Sequence, residues 1–158
     1  EYQLNDSTPT PLLDGIEDIC SYFSSIPQGI VSQNARSNIL NSLQSNGLAG
    51  YFRHVVGYEE VPLIKQKPEP NGLILCLKKL TEMKSGITFY IGDHQTDTHC
   101  AVKANQILQK DYPGISILSI GAFYSTHADD TGWQIKPDFT AFYPEDIVKI
   151  IGSYQEQV

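Results

Sequence analysis

Short apolar runs alternate with segments of helical periodicity along this chain, and no other feature constrains the fold more. The runs predicted to be strands are 29–31, 54–56, 88–91, 115–120 and 139–142. Helices are predicted around them, with buried faces that carry Ile16 and Phe23, Ile39 and Leu43, Leu73 and Leu77, Ala101 and Leu108, and Ile147 and Ile151. Such alternation favours a mainly parallel sheet with helices on both faces, a three-layer α/β/α, Rossmann-like core.

Size and composition indicate one globular domain over residues 1–158, with 41% apolar and 18% charged residues. A net charge of −7 without a basic patch argues against binding nucleic acid through its backbone. Neither a signal peptide nor a long apolar segment is visible, so no membrane contact is expected. Three widely spaced cysteines without a C-x-x-C pair suggest reduced thiols and a cytoplasmic location.

Three polar clusters lie where predicted strands end or helices begin. They are Ser32-Gln33-Asn34, Lys67-Pro68, and Gly92-Asp93 with Asp97 four residues further on. In a parallel sheet, ligands bind outside the carboxyl ends of the strands. A hydroxyl with adjacent N–H groups can hold phosphate oxygens, a lysine can neutralise them, and carboxylates can ligate Mg²⁺. Together the clusters predict a Mg²⁺-assisted phosphate site.

Each cluster also has a simpler interpretation. Ser32 or Asn34 could cap the following helix, and Lys67 could be a solvated charge at a helix entry. Asp93 and Asp97 could be a cap and a first-turn acid. A transition-metal cluster of Asp93 with His94 and His99 is a further alternative, although five residues of spacing place the two imidazoles on different helix faces.

The ordered set of clusters resembles the haloacid dehalogenase-like hydrolases. Ser32 after a strand, Lys67-Pro68-Glu69-Pro70 before a helix, and Ile91 to Asp97 after a strand look like the second, third and fourth motifs of that superfamily. The K-P-x-P form and the stretch beginning Pro137-Asp138-Phe139 are most similar to the phosphoglycolate phosphatase-like group. The resemblance extends over about residues 11–151.

The resemblance implies a role for each matched residue. Ser32 would hydrogen-bond the transferring phosphoryl group, with Gln33 and Asn34 beside it, and Lys67 would stabilise its charge. Asp93 would ligate Mg²⁺, and Asp97 would support that site or orient Lys67. Lys65 competes with Lys67 for the third-motif position. Gln33 and Asn34 differ from the residues that usually follow the second motif.

The first motif of the family has no counterpart in this chain. It is a strand ending in D-x-D-G-T, whose first Asp is the nucleophile and whose second is the general acid and base. Asp6-Ser7-Thr8 lacks a preceding apolar strand and a second Asp. Asp129-Asp130-Thr131-Gly132 imitates the letters, but no strand-like run precedes it, so it is not expected to replace the nucleophile.

The simplest hypothesis is that the chain is the C-terminal part of a longer phosphatase. It begins with Glu1 rather than Met, and residues 6–11 resemble the return from a cap domain. In the family the missing strand is central, so its loss would leave two unpaired sheet edges. An N-terminal fragment or a partner strand would then complete the sheet.

The function that follows is a Mg²⁺-dependent phosphate monoester hydrolase acting on a small molecule. The isolated chain is expected to be inactive because it lacks the nucleophilic Asp. One alternative is a non-catalytic relative that keeps the phosphate and Mg²⁺ pocket for binding or regulation. Another is an interaction domain without a ligand.

Overall fold

A computed structural model describes residues 15–124 and 129–155 of the chain. The chain divides into two compact units, residues 1–82 and residues 83–158. Each unit holds one parallel sheet.

In its described residues, the first unit combines three α-helices with a two-stranded parallel sheet. Its helices and strands are α1 (Ile16–Tyr22), β1 (Gly29–Val31), α2 (Arg36–Ser45), β2 (His54–Val56) and α3 (Asn71–Leu80). Three short 3₁₀ helices lie at Ala49–Tyr51, Tyr58–Glu60 and Leu63–Lys65. The register pairs Gly29 with His54 and Val31 with Val56.

The interior of the first unit forms where the helices pack on this sheet. Leu43 and Leu48 pack with Val55, and Val56 packs with Val61 and Cys76. β1 and α3 approach each other so closely that a Cβ on Gly29 would lie 2.6 Å from the Cys76 sulfur. A residue without a side chain is therefore required at position 29.

The second unit is a three-stranded parallel sheet with two helices. Its elements are β3 (Gly86–Gly92), α4 (Gln95–Asp111), β4 (Ile115–Ala122), β5 (Phe139–Ala141) and α5 (Pro144–Gln155). The strand order is β3-β4-β5, so the buried strand β4 is central. Tyr154 of α5 packs edge-on against Phe89 and Phe139.

Side chains extend the pairing of β4 where the short strand β5 does not reach. Asn105 of α4 donates to the Ile117 carbonyl and accepts from its N–H, both at 2.8 Å. The Asp138 carboxylate accepts from the Ser119 N–H at 2.8 Å and from its hydroxyl at 3.1 Å. This edge of β4 is thus satisfied by side chains before β5 takes over at Ile120.

The outer edge of β3 has no such cover. Among the residues that the structure describes, no strand pairs with this edge. The strand is seven residues long, contains neither proline nor a charged residue, and leaves Ile87 and Ile91 exposed by 49% and 40%. Natural sheets usually protect exposed edges of this kind.

The predicted fold class is confirmed: the protein is α/β with parallel strands and a Rossmann-like core. Each predicted helix and strand is found: β1 and β2 match the prediction at both ends, and the ends of the other three strands differ by at most two residues. Within the described segments, no helix is long and apolar enough to span a bilayer.

Candidate active site

A pocket lies at the carboxyl ends of β1 and β2 in the first unit. Ser32 follows β1 directly, Gly57 follows β2, and the loop 57–70 closes the pocket before α3 begins. Twelve residues line it: Val31, Ser32, Gln33, Val56, Gly57, Tyr58, Val61, Gln66, Lys67, Glu69, Gly72 and Leu73. Three of the predicted phosphate-binding residues, Ser32, Gln33 and Lys67, are therefore brought together at the predicted end of a strand pair.

Local hydrogen bonds fix Ser32. Its N–H donates to the Val56 carbonyl at 3.0 Å, which continues the β1–β2 ladder by one residue. Its hydroxyl oxygen accepts from the Asn34 N–H at 3.1 Å. A hydroxyl that accepts in this way retains its own hydrogen for donation to an anion.

Neither Ser32 nor Asn34 caps α2, contrary to the simpler interpretation. The N-cap is Ala35, without a side-chain cap bond, and both oxygens of Glu59 accept from the Arg36 N–H at 3.0 and 3.1 Å. A carboxylate from a different segment thus satisfies the helix N-terminus. Asn34 does not line the pocket and instead links neighbouring loops through its backbone.

Lys67 lies in the irregular loop between β2 and α3, and its side chain is half-buried at the pocket wall. The peptide bond to Pro68 is cis. Lys65, the competing candidate, ends a 3₁₀ helix, is exposed, and does not line the pocket. Of the two lysines, only Lys67 therefore lines the same pocket as Ser32.

The loop of Lys67 and the turn of Ser32 are joined by further contacts. The Tyr58 N–H donates to the Asn34 carbonyl at 3.0 Å, and Arg36 Nε lies 3.2 Å from Glu60 Oε1. A Cβ on Gly57 would lie 2.6 Å from the Arg36 nitrogen. Glycine at position 57 therefore permits the close approach of the two segments.

Asp93 and Asp97 lie in the second unit, at the carboxyl end of β3 and in the first turn of α4. Asp93 is exposed, whereas Asp97 is only 8% exposed. One oxygen of Asp97 accepts from the His94 N–H at 3.2 Å, and the His94 ring nitrogen Nδ1 accepts from the Thr96 N–H at 3.3 Å. The two residues form a capping box at the start of α4.

Metal binding at this turn depends on how many ligating side chains lie together there. In the described part of the chain, no group of three or more His, Cys, Asp and Glu side chains is placed to hold a metal ion. The Asp93, His94 and His99 cluster therefore gains no support. Mg²⁺ needs only one or two carboxylates besides water and substrate oxygens. The exposed Asp93 fits that donor type, and Asp97 fits a supporting role beside it.

Asp129-Asp130-Thr131-Gly132, the imitation of the first motif, forms a turn. The Thr131 N–H donates to Asp129 Oδ1 at 2.8 Å. Hydrogen bonds from the Thr131 hydroxyl and N–H hold the pKa of Asp129 below its ordinary value. The fully exposed Asp129 has none of the placement at a strand end that the family's nucleophile requires.

Comparison with known families identifies the family of this chain. The family model of the haloacid dehalogenase-like hydrolases matches residues 2–107. The chain belongs to this family. The matched range includes Ser32, Lys67, Asp93 and Asp97.

Several known proteins are similar to this haloacid dehalogenase-like chain. Pyrophosphatase PpaX of Listeria welshimeri is 26% identical over 123 residues, which cover 78% of this chain and 50% of the relative. A predicted phosphoglycolate phosphatase of Haemophilus somnus superposes with a TM-score of 0.69 at 20% identity, covering 89% of this chain and 57% of that one. The magnesium-bound HAD-hydrolase YfnB of Bacillus subtilis gives 0.68 at 17% identity, covering 88% and 55%.

The chain spans about half the length of the curated relatives it matches. The structural likenesses, at 20% identity or less, establish the fold. Membership of the hydrolase family and similarity to phosphatases are therefore shown, and the reaction of the whole protein is a matter for proposal.

Proposed function

We propose that this chain is the phosphate-binding core of a Mg²⁺-dependent hydrolase of small-molecule phosphate monoesters. The observation that carries the proposal is the common pocket of Ser32 and Lys67 at the carboxyl ends of β1 and β2. A serine hydroxyl and a lysine are side chains suited to the equatorial oxygens of a phosphoryl group, and both residues line this pocket. Phosphoryl transfer depends chiefly on such positioning and charge neutralisation.

The metal part of the proposal assigns Asp93 as the direct ligand of Mg²⁺. Asp97 would act through structure, because its carboxylate holds the turn that presents Asp93. Mg²⁺ supplies charge neutralisation in phosphoryl transfer. The magnesium-bound YfnB structure supports this choice of ion.

The nucleophile of the proposed reaction would come from a strand outside the described residues. No D-x-D pair occurs anywhere in the 158-residue sequence. The open edge of β3, with Ile87 and Ile91 half exposed, offers backbone and apolar contacts to an added strand. We therefore expect the isolated chain to lack turnover and an N-terminal fragment or partner strand to supply the missing aspartate.

A non-catalytic role is the second candidate, and the same missing D-x-D pair favours it. A chain that keeps the Ser32–Lys67 pocket without a nucleophile could bind a phosphate ester for regulation. The two candidates share the ligand and differ only in turnover. Three free, buried cysteines support a cytoplasmic location for either.

Native mass spectrometry combined with a phosphatase assay separates the candidates. The purified protein is weighed under native and denaturing conditions and assayed with p-nitrophenyl phosphate and Mg²⁺. A preparation with a companion fragment bearing D-x-D should turn over, whereas a single 17.6 kDa species should not. Turnover by the single species would contradict the claim that this chain lacks the nucleophile. Phosphate binding without turnover in the presence of the companion would favour the regulatory candidate.

A further inference from the structure

Gln66 directly precedes Lys67 and makes four hydrogen bonds in the loop between β2 and α3. Its side-chain nitrogen Nε2 donates to the carbonyls of Tyr58 and Val61, both at 3.0 Å. Its N–H donates to the Leu63 carbonyl at 3.2 Å, and its carbonyl accepts from the Glu69 N–H at 2.8 Å. The backbone is thus fixed immediately before Lys67 and again two residues after it.

One of these bonds belongs to a path that ends at the Ser32 hydroxyl. Gln66 holds the Tyr58 carbonyl, and the Tyr58 N–H donates to the Asn34 carbonyl at 3.0 Å. The Asn34 N–H in turn donates to Ser32 Oγ at 3.1 Å. A continuous chain of hydrogen bonds therefore connects the residue before Lys67 with the hydroxyl across the pocket.

The chemistry of an anion pocket explains why such a path matters. Lysine carries its charge on a flexible four-carbon stem, so the placement of its ammonium depends on the backbone beneath it as well as on its own contacts. Loss of placement by about 1 Å can strongly weaken a site that depends on two groups acting together. The loop of Lys67 has no sheet or α-helical ladder of its own, so its rigidity depends on isolated backbone bonds and on the side-chain bonds of Gln66.

We propose that Gln66 is the positioning residue that sets Lys67 relative to Ser32, by bridging the carbonyls of Tyr58 and Val61. The inference rests on the phosphate site proposed above, and Gln66 acts through Lys67 rather than on the ligand. A carboxamide is suited to the task because its nitrogen has two hydrogens, and each meets one carbonyl. A glutamate at this position could not donate and would place its charge against both oxygens.

The chain contains a matched control for this role. Gln28 has the same chemistry: its Nε2 donates to the carbonyls of Cys20 and Phe23 at 2.9 and 3.1 Å. It is half-buried like Gln66 and belongs to the same unit, but it lies just before β1, at the end opposite the pocket. Gln28→Met and Gln66→Met therefore each remove two hydrogen bonds from Nε2 to backbone carbonyls, and only Gln66 is next to Lys67.

The test is a double-mutant cycle on the affinity for inorganic phosphate, measured by ³¹P NMR or calorimetry on the folded chain. Gln66→Met should weaken binding about fivefold through lost placement, while Gln28→Met should leave it unchanged. In the Lys67→Met background, Gln66→Met should have no further effect, because Gln66 lines the pocket with both Nε2 hydrogens already bonded to carbonyls and acts on phosphate through Lys67. Thermal melts check folding, and Gln66→Glu, which keeps the size but donates no bond, should repeat the loss.

Each outcome decides between separate claims. If Gln66→Met binds phosphate like the unaltered protein, the positioning role is wrong. It is also wrong if Gln66→Met lowers the phosphate affinity by the same factor with and without Lys67, because the effect is then a general structural one. If the unaltered protein does not bind phosphate, or Lys67→Met binds as well as it does, the proposed phosphate site itself fails. The Lys67→Met result therefore tells the two failures apart.

Discussion

A Cβ atom on Gly92 would lie 2.2 Å from the Oδ2 atom of Asp97 and 2.4 Å from its Cγ. The last residue of β3 is thus in direct contact with the carboxylate that caps α4. This contact leaves Asp97 only 8% exposed while its oxygen reaches the His94 N–H. The turn that presents Asp93 therefore requires glycine at position 92.

Gly92→Ala should lower the free energy of unfolding by about 1–3 kcal/mol, because the methyl group must displace the Asp97 side chain from its cap. Chemical denaturation measures the change. Gly86→Ala at the other end of β3 is the control, since nothing lies within 4 Å of its added Cβ. Equal effects of the two substitutions would contradict the role given to this contact.

Asp93→Asn should abolish the rise in melting temperature that Mg²⁺ causes, because a ligand that binds the native state stabilises it. Stability without Mg²⁺ should change by less than about 0.5 kcal/mol, since the side chain is exposed. Thermal melts with and without Mg²⁺ provide the measurement. Asp111→Asn, at the exposed end of α4, controls for the lost charge. A shift by Mg²⁺ that survives in Asp93→Asn would remove Asp93 as the ligand.

Asn105→Ala should destabilise the protein by about 1–3 kcal/mol, because it leaves the N–H and the carbonyl of Ile117 without their side-chain partner. Denaturation in urea tests this expectation. Gln106→Ala changes an exposed neighbour on α4 and should cost less than about 0.5 kcal/mol. If Asn105→Ala proves equally mild, water satisfies that edge of β4.

Stability should fall between about pH 9 and pH 11 through Cys76. Burial chiefly, with a contribution from the Glu60 charge, raises the pKa of this thiol from 9.0 to about 11. The unfolded chain loses the proton first, so the stabilisation is complete below pH 9 and is lost as pH rises towards 11. Comparing unfolding of the unaltered protein and Cys76→Ala across this range isolates the effect. Parallel pH profiles would show that Cys76 does not titrate differently in the two states.

The sequence predicted the helices and strands because each carries its own hydrophobic period. The run 88–91 and the spacing of Ala101 and Leu108 predicted the strand and the helix of this βα unit without tertiary information. The 3₁₀ helices at Tyr58–Glu60 and Leu63–Lys65 are too short to show a period. The Asn105 and Asp138 contacts join residues 12 and 19 positions apart, so no local pattern reveals them.

The candidate site was predictable in part for the same reason. Ser32 and Lys67 were candidates because one follows a predicted strand and the other precedes a predicted helix, and both line one pocket. Asp97 lies in the first turn of α4, as one interpretation of the sequence had it, but the N-cap is His94 rather than Asp93, which the sequence did not indicate because histidine is an unusual N-cap residue. Gln66 carried no signal, since its function depends on two carbonyls that only the folded loop brings within reach.

The phosphate affinity of Lys67→Met, compared with that of Lys65→Met, tests the central claim most directly. The two lysines lie two residues apart and lose the same charge, but only Lys67 lines the pocket with Ser32. Titration with inorganic phosphate should show a loss of about tenfold or more for Lys67→Met, as expected for a charge-assisted contact, and little change for Lys65→Met. Equal losses of phosphate affinity in the two variants would mean that only the net charge matters. No loss in Lys67→Met would contradict a phosphate site at this pocket.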